Sequence, residues 1–192
     1  MVGHTAVRYY VMGERSVEEL ATDEEIKRMA EIVGESMDGG AVGFSTNRYP
    51  PHVGPDGRSI PGTYAEAKEL LEIAKVVGEK RGLMQNVLDF GGQPEFSVKL
   101  LKDLASTTRD RILFSMGTGP DLESGKRVRG LLKELCSEGG DITAISQPRS
   151  SGFMFGLQSG LPFFGETWDK IRAMDLKGKG LLQLETKKLA IN

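Results

Sequence analysis

The feature that most constrains this chain is a recurrence: short apolar segments alternate with helical patterns at a nearly fixed interval. Taking Ala41, Leu83, Ile112 and Ile142 as strand starts, the intervals are 42, 29 and 30 residues. About thirty residues is the length of one βαβ unit, and its right-handed crossover makes the two strands parallel. The first interval is longer because a polar loop, 46–62, carries the turn signals Pro50-Pro51, Asp56-Gly57 and Pro61-Gly62. Upstream, Ala6 to Met12 reads as a further strand. Thr22 to Glu25 is a T-x-x-E capping box opening a helix that would bury Ile26, Met29, Ala30, Val33 and Met37, with Gly39-Gly40 ending it. A second such box, Thr63 to Glu66, predicts a helix with Ala67, Leu70, Leu71, Ala74 and Val77 inward. Pro94 suits the first turn of the next helix, and Val128, Leu131, Leu132, Leu135 and Cys136 line another. The fold class is therefore α/β with parallel strands. Periodicity alone fits a section of a (β/α)8 barrel and a doubly wound open sheet equally well.

The rhythm stops near Ser150. Residues 151–164 hold four of the eight Phe without either periodicity and read as closing an edge of the core. Thr167 would cap a short helix with Trp168, Ile171 and Met174. The expected organisation is one section over 1–176 and a tail over 177–192.

Composition removes several classes of function. With 25 Lys and Arg against 27 Asp and Glu the net charge is −2, which gives no electrostatic footing for nucleic acid or a polybasic membrane contact. No apolar run reaches the roughly 18 residues of a membrane span, and the first residues lack a signal-peptide pattern, so a cytoplasmic protein is expected. The single Cys136 cannot form an internal disulfide and reads as a buried small apolar residue. There is no complete G-x-G-x-x-G, no P-loop and no G-x-S-x-G. The two histidines, His4 and His52, lie 48 positions apart with no third ligand evident, so a self-contained zinc site is not expected.

In parallel α/β folds ligands bind where the strands end, at their carboxyl edge. Here that edge carries Ser45, Thr46, Asn47 and Arg48, then Asn86 and Asp89, then Ser115, then Gln147 and Arg149. Such a set would orient a small polar or anionic substrate, with Arg48 or Arg149 as a guanidinium clamp on a carboxylate. His52, in the Pro- and Gly-rich loop, is the second acid–base candidate. His4 precedes the first expected strand, at the end where barrels do not place catalysis.

Several blocks in order resemble one family. Gly3-His4-Thr5-Ala6-Val7-Arg8 resembles the GHxxxR block of the N-acyl-D-amino-acid deacylases of the amidohydrolase superfamily. Thr22 to Glu25 with Met29, then Gly40 to Thr46, resembles their capped helix and GAxGxST strand, and Pro61-Gly62-Thr63 and Gln147-Pro148-Arg149 fit one branch of them. The resemblance implies a partial TIM barrel and hydrolysis of amide C–N bonds with zinc as Lewis acid and source of hydroxide. It also implies a departure. Asn86-Val87 and Ser115-Met116 stand where the family places histidines, and neither an HxH strand nor an aspartate-bearing strand is present. The expectation is thus a central fragment without metal, inactive alone, that self-associates as a homo-oligomer through open sheet edges. The alternative is a non-catalytic small-molecule-binding or self-assembling module.

Overall fold

A computed structural model describes residues 1–90, 93–108, 111–115, 122–137, 139–146 and 166–181. The chain divides into two compact units, Met1–Gln147 and Pro148–Asn192. The first contains β1 (Val2–Gly3), α1 (His4–Met12), a 3-10 turn (Gly13–Ser16), α2 (Asp23–Asp38), β2 (Gly43–Asn47), α3 (Ala67–Glu79), β3 (Leu83–Val87), α4 (Pro94–Thr108), β4 (Ile112–Ser115), α5 (Leu122–Ser137) and β5 (Ile142–Ile145). In the second, α6 (Glu166–Arg172) is described. No helix of the described residues is long and apolar enough to cross a membrane.

All five strands pair in parallel, in the order β1-β2-β3-β4-β5. This order decides between the two architectures. A doubly wound sheet reverses its strand order at a switch point, so that helices cover both faces. Here each strand lies beside its predecessor, and right-handed crossovers return every helix to the same side. The helices accordingly pack in sequence, α1 on α2, α2 on α3 and α3 on α4. The sheet is a run of consecutive (β/α) units, as in part of a barrel wall.

The core lies between the sheet and that helical layer. Phe44, Met84, Ile112 and Phe114 from the strands meet Met29, Val33, Leu70, Ile73, Val77, Leu101 and Leu104 from the helices, all within 1% of complete burial. The alternate residues face the other way, since successive side chains of a strand point to opposite sides. Cross-strand registration aligns them in two rows, Ser45-Gln85-Leu113-Thr143 and Asn47-Val87-Ser115-Ile145. They are half-buried or exposed.

Local signals account for most of the elements. Thr22 and Glu25 form the full capping box, and Asp23, Glu24 and Glu25 place negative charge against the amino end of α2. Three expectations are corrected. Ala6 to Met12 is helix, and the edge strand is Val2–Gly3. The buried residues of α1 are His4, Val7, Arg8 and Met12, a helical stripe whose two polar members hide it from an apolar count. Helix α3 begins at Ala67 with Glu66 as N-cap and no capping side chain, because the Thr63 hydroxyl donates instead to Ile60 O at 2.9 Å. Cys136 is exposed, since the face of α5 that packs inward is centred on Leu135.

Candidate functional site

The carboxyl ends of β1, β2 and β3 carry two polar groups, one on each side of the sheet. The first is buried among the helices. Because β1 ends at Gly3, His4 stands at the carboxyl edge of the sheet and not at the amino end expected from the sequence. Helix α1 puts His4 and Arg8 one turn apart on its inner face, and Glu69 meets both from α3. His4 Nε2 lies 2.6 Å from Glu69 Oε1, and Arg8 Nη1 donates to Glu69 Oε2. A carboxylate only accepts, so Nε2 carries the proton. In the neutral ring Nδ1 then accepts from the Thr46 hydroxyl at 2.9 Å. Arg8 has two further acceptors, Ser16 O at 2.9 Å and Glu19 O at 2.6 Å. Burial would raise the Glu69 carboxyl, but the hydrogen bonds and charges of His4 and Arg8 outweigh it and hold it below the usual glutamate value.

The loop between β2 and α3 closes over this group. Gly62 has φ +95°, and a Cβ there would lie 2.6 Å from His4 Nδ1, so only glycine fits. Thr5 Oγ1 donates to Pro61 O at 3.1 Å, which holds the same segment down.

The second group is at the far side. Asn47 ends β2 on the face opposite the helical layer of the first unit. Its Oδ1 accepts from Tyr49 N at 3.0 Å, and its Nδ2 is in hydrogen-bond contact with Nδ1 of the exposed His52. The His52 backbone N–H donates to Tyr49 O at 3.0 Å, and the Tyr49 and His52 rings meet edge-on with centroids 5.2 Å apart. Ser45, Gln85 and Ser115 lie on the same face.

The residues read from the sequence therefore separate. Ser45, Asn47 and His52 share the open side. Thr46 and Asn86 face the helices at 2% and 0% exposure. Asn86 Nδ2 reaches Met84 O at 3.2 Å, while its Oδ1 has no partner among the described residues. Arg48 is buried. Its backbone N–H donates to Val87 O at 2.8 Å, its Nη1 donates to Ala65 O, and its guanidinium sits 4.7 Å above the Phe96 ring. Burial lowers its pKa. Asp89 is half-buried, and its backbone carbonyl accepts from Gln93 N at 3.2 Å and Ser97 Oγ at 2.8 Å, at the start of α4. Gln147 and Arg149 lie outside the described residues, as do Met116 and 151–164. Sequence reasoning missed Glu69 and Gln85. The signal for Glu69 was the i, i+4 spacing of His4 and Arg8, which on a helix aims both at one neighbour and calls for a carboxylate there.

No protein-family profile matches the chain. Over 83 residues, 43% of the chain, it is 32% identical to a D-aminoacylase of Alcaligenes xylosoxydans xylosoxydans, a stretch that spans 15% of that relative. A solved D-aminoacylase with a binuclear metal centre superposes with a TM-score of 0.62 at 22% identity, covering 78% of this chain and 30% of that one. The N-acyl-D-glutamate deacylase of Bordetella bronchiseptica, solved with zinc and a phosphonate mimic of the tetrahedral intermediate, gives 0.58 at 23% identity, over 73% and 28%. The resemblance read from the sequence blocks is thus met by these deacylases, of which the chain spans under a third, and the partial-barrel fold is shared with them. Their metals do not fit the donors described here. No three His, Cys, Asp or Glu side chains come together among the described residues, and the strand ends on the open face offer Asn47, Val87 and Ser115.

Proposed function

We propose that this chain is a substrate-positioning section of an amidohydrolase of the N-acyl-D-amino-acid deacylase type. One observation carries the reading: five parallel strands in sequential order, joined by helical crossovers, in a chain that superposes on a D-aminoacylase with a TM-score of 0.62 and is 32% identical to one over 83 residues. Ser45, His52, Gln85 and Ser115 would face the substrate, offering hydroxyl, amide and imidazole groups to its carboxylate and its amide carbonyl, and Asn47 would hold His52 in place. Fixing both ends of the substrate is worth rate only when a reacting group stands opposite. Metal ligands are not among the described residues, so the chemistry would be supplied from outside them and no step is assigned to these five. Thr46 and Asn86 would support the strand ends from behind, and Arg48 would hold the loop. The exposed edge at β5, where Ile145 is 46% exposed, would pair with another strand, in a second copy or in the remainder of a barrel.

The test is an amidase assay on N-acetyl-D-glutamate and N-acetyl-D-leucine, with metal content measured on the same sample. The expected result is binding of at least one N-acyl-D-amino acid with negligible turnover and no stoichiometric zinc. Turnover with zinc held by the chain would overturn the division of labour, and failure to bind either compound would overturn the substrate class.

A further inference from the structure

We propose that Asn47 and His52 form a built mount that presents the His52 Nε2–H as a fixed donor to a carboxylate oxygen of the ligand. This rests on the reading that the open side of the carboxyl edge receives substrate. An exposed histidine on a long loop ordinarily rotates freely, and three separate contacts hold this one. Its backbone closes a turn onto Tyr49 O, its ring meets the edge of Tyr49, and its Nδ1 faces the Asn47 amide. Pro50 and Pro51 stiffen the turn between, since each fixes its own φ.

The proton's position follows from donor and acceptor inventory. Asn47 Oδ1 is taken by the Tyr49 N–H, which fixes the amide orientation and leaves Nδ2, a donor only, toward the imidazole. His52 Nδ1 must then accept. In the neutral ring the proton sits on Nε2, the nitrogen turned away from Asn47. The outward atom is therefore a donor, suited to an anionic oxygen. It is no base and no metal ligand in this arrangement. The guanidinium closest in sequence is engaged elsewhere: Arg48 is spent on Ala65 O and the Phe96 ring. Asn47 is a positioning residue, and His52 is the group that would touch the ligand.

Nitrogen-15 NMR of the full chain at about pH 8, above the ordinary histidine range, reads the tautomer directly. Nε2–H is expected in the native chain, and Asn47→Asp should reverse it, because a carboxylate would draw the proton to Nδ1. Acetate and N-acetyl-D-glutamate are then titrated separately. Both should shift the His52 nitrogens, and His52→Ala should weaken binding about tenfold, the worth of one hydrogen bond to a charged group. Acetate moving His52 while N-acetyl-D-glutamate fails to bind supports the mount and sinks the proposed substrate class. An Nδ1–H tautomer in the native chain, or His52 resonances unmoved by either compound at its highest soluble concentration, overturns the proposal.

Discussion

The two faces of the sheet are built from alternate residues of the same strands, yet they treat polar groups in opposite ways. On the helix side, Thr46 is drawn into the chain Thr46–His4–Glu69–Arg8, in which each hydrogen bond supports the next. A polar group in that layer has water to compensate it only at great cost, so it must find a protein partner. On the opposite face Ser45, Gln85 and Ser115 are half-buried and carry no such obligation, while Asn47 is engaged locally, by the Tyr49 N–H and the His52 ring. Polarity at a strand end is thus not by itself a mark of function, and the face decides which kind it is.

The largest effect that sharpens this contrast is expected at Glu69. Glu69→Ala leaves Arg8 buried without its counter-charge and should cost about 3–5 kcal/mol in denaturant unfolding. Its pH signature has a definite sign. The folded carboxyl lies below the ordinary value of 4.5, so the unfolded chain takes up the proton first. The stability it confers is complete above that ordinary value and is lost as the pH falls through the lowered folded one. The native chain should therefore lose stability more steeply below pH 4.5 than Glu69→Ala does, and parallel acid profiles would show the pair contributes nothing.

Asn86 tests the same layer from the opposite direction. One of its polar atoms has no partner among the described residues, so Asn86→Leu removes a buried liability along with two long hydrogen bonds, to Met84 O and Leu113 O. Stability should stay within about 1 kcal/mol of native or rise. A loss of several kcal/mol in chemical denaturation would mean that the amide holds something essential. The smallest effect belongs to the face opposite the helices: Gln85→Ala should change the unfolding free energy by no more than about 0.5 kcal/mol. A larger penalty would show that this face is covered in solution.

How far the sequence carried the reading follows the same division. The parallel strands and helices were legible because apolar periodicity and the Thr22–Glu25 box are local signals. The strand order was not, since periodicity counts units without saying on which side each returns. Helix α1 was misread because its inner stripe contains His4 and Arg8, which look like surface residues until Glu69, more than sixty positions away, is placed between them. Among the site residues, Ser45, Asn47 and His52 come together as a strand-end rule would have them. Thr46 and Asn86 fall on the other side of the pleat, since a rule that collects consecutive residues ignores the period of two. Arg48 was read as a clamp, but its guanidinium engages Ala65 O and the Phe96 ring.

The bond from Arg48 to Ala65 O has one more consequence. It ties the departure point of the β2–α3 loop to its return, while Gly62 seals the return against His4. The intervening stretch from Tyr49 to Ile60 is in effect a cassette clipped into a rigid frame. Exchanges or changes of length between these two anchors should therefore be absorbed within the loop before their strain reaches the sheet.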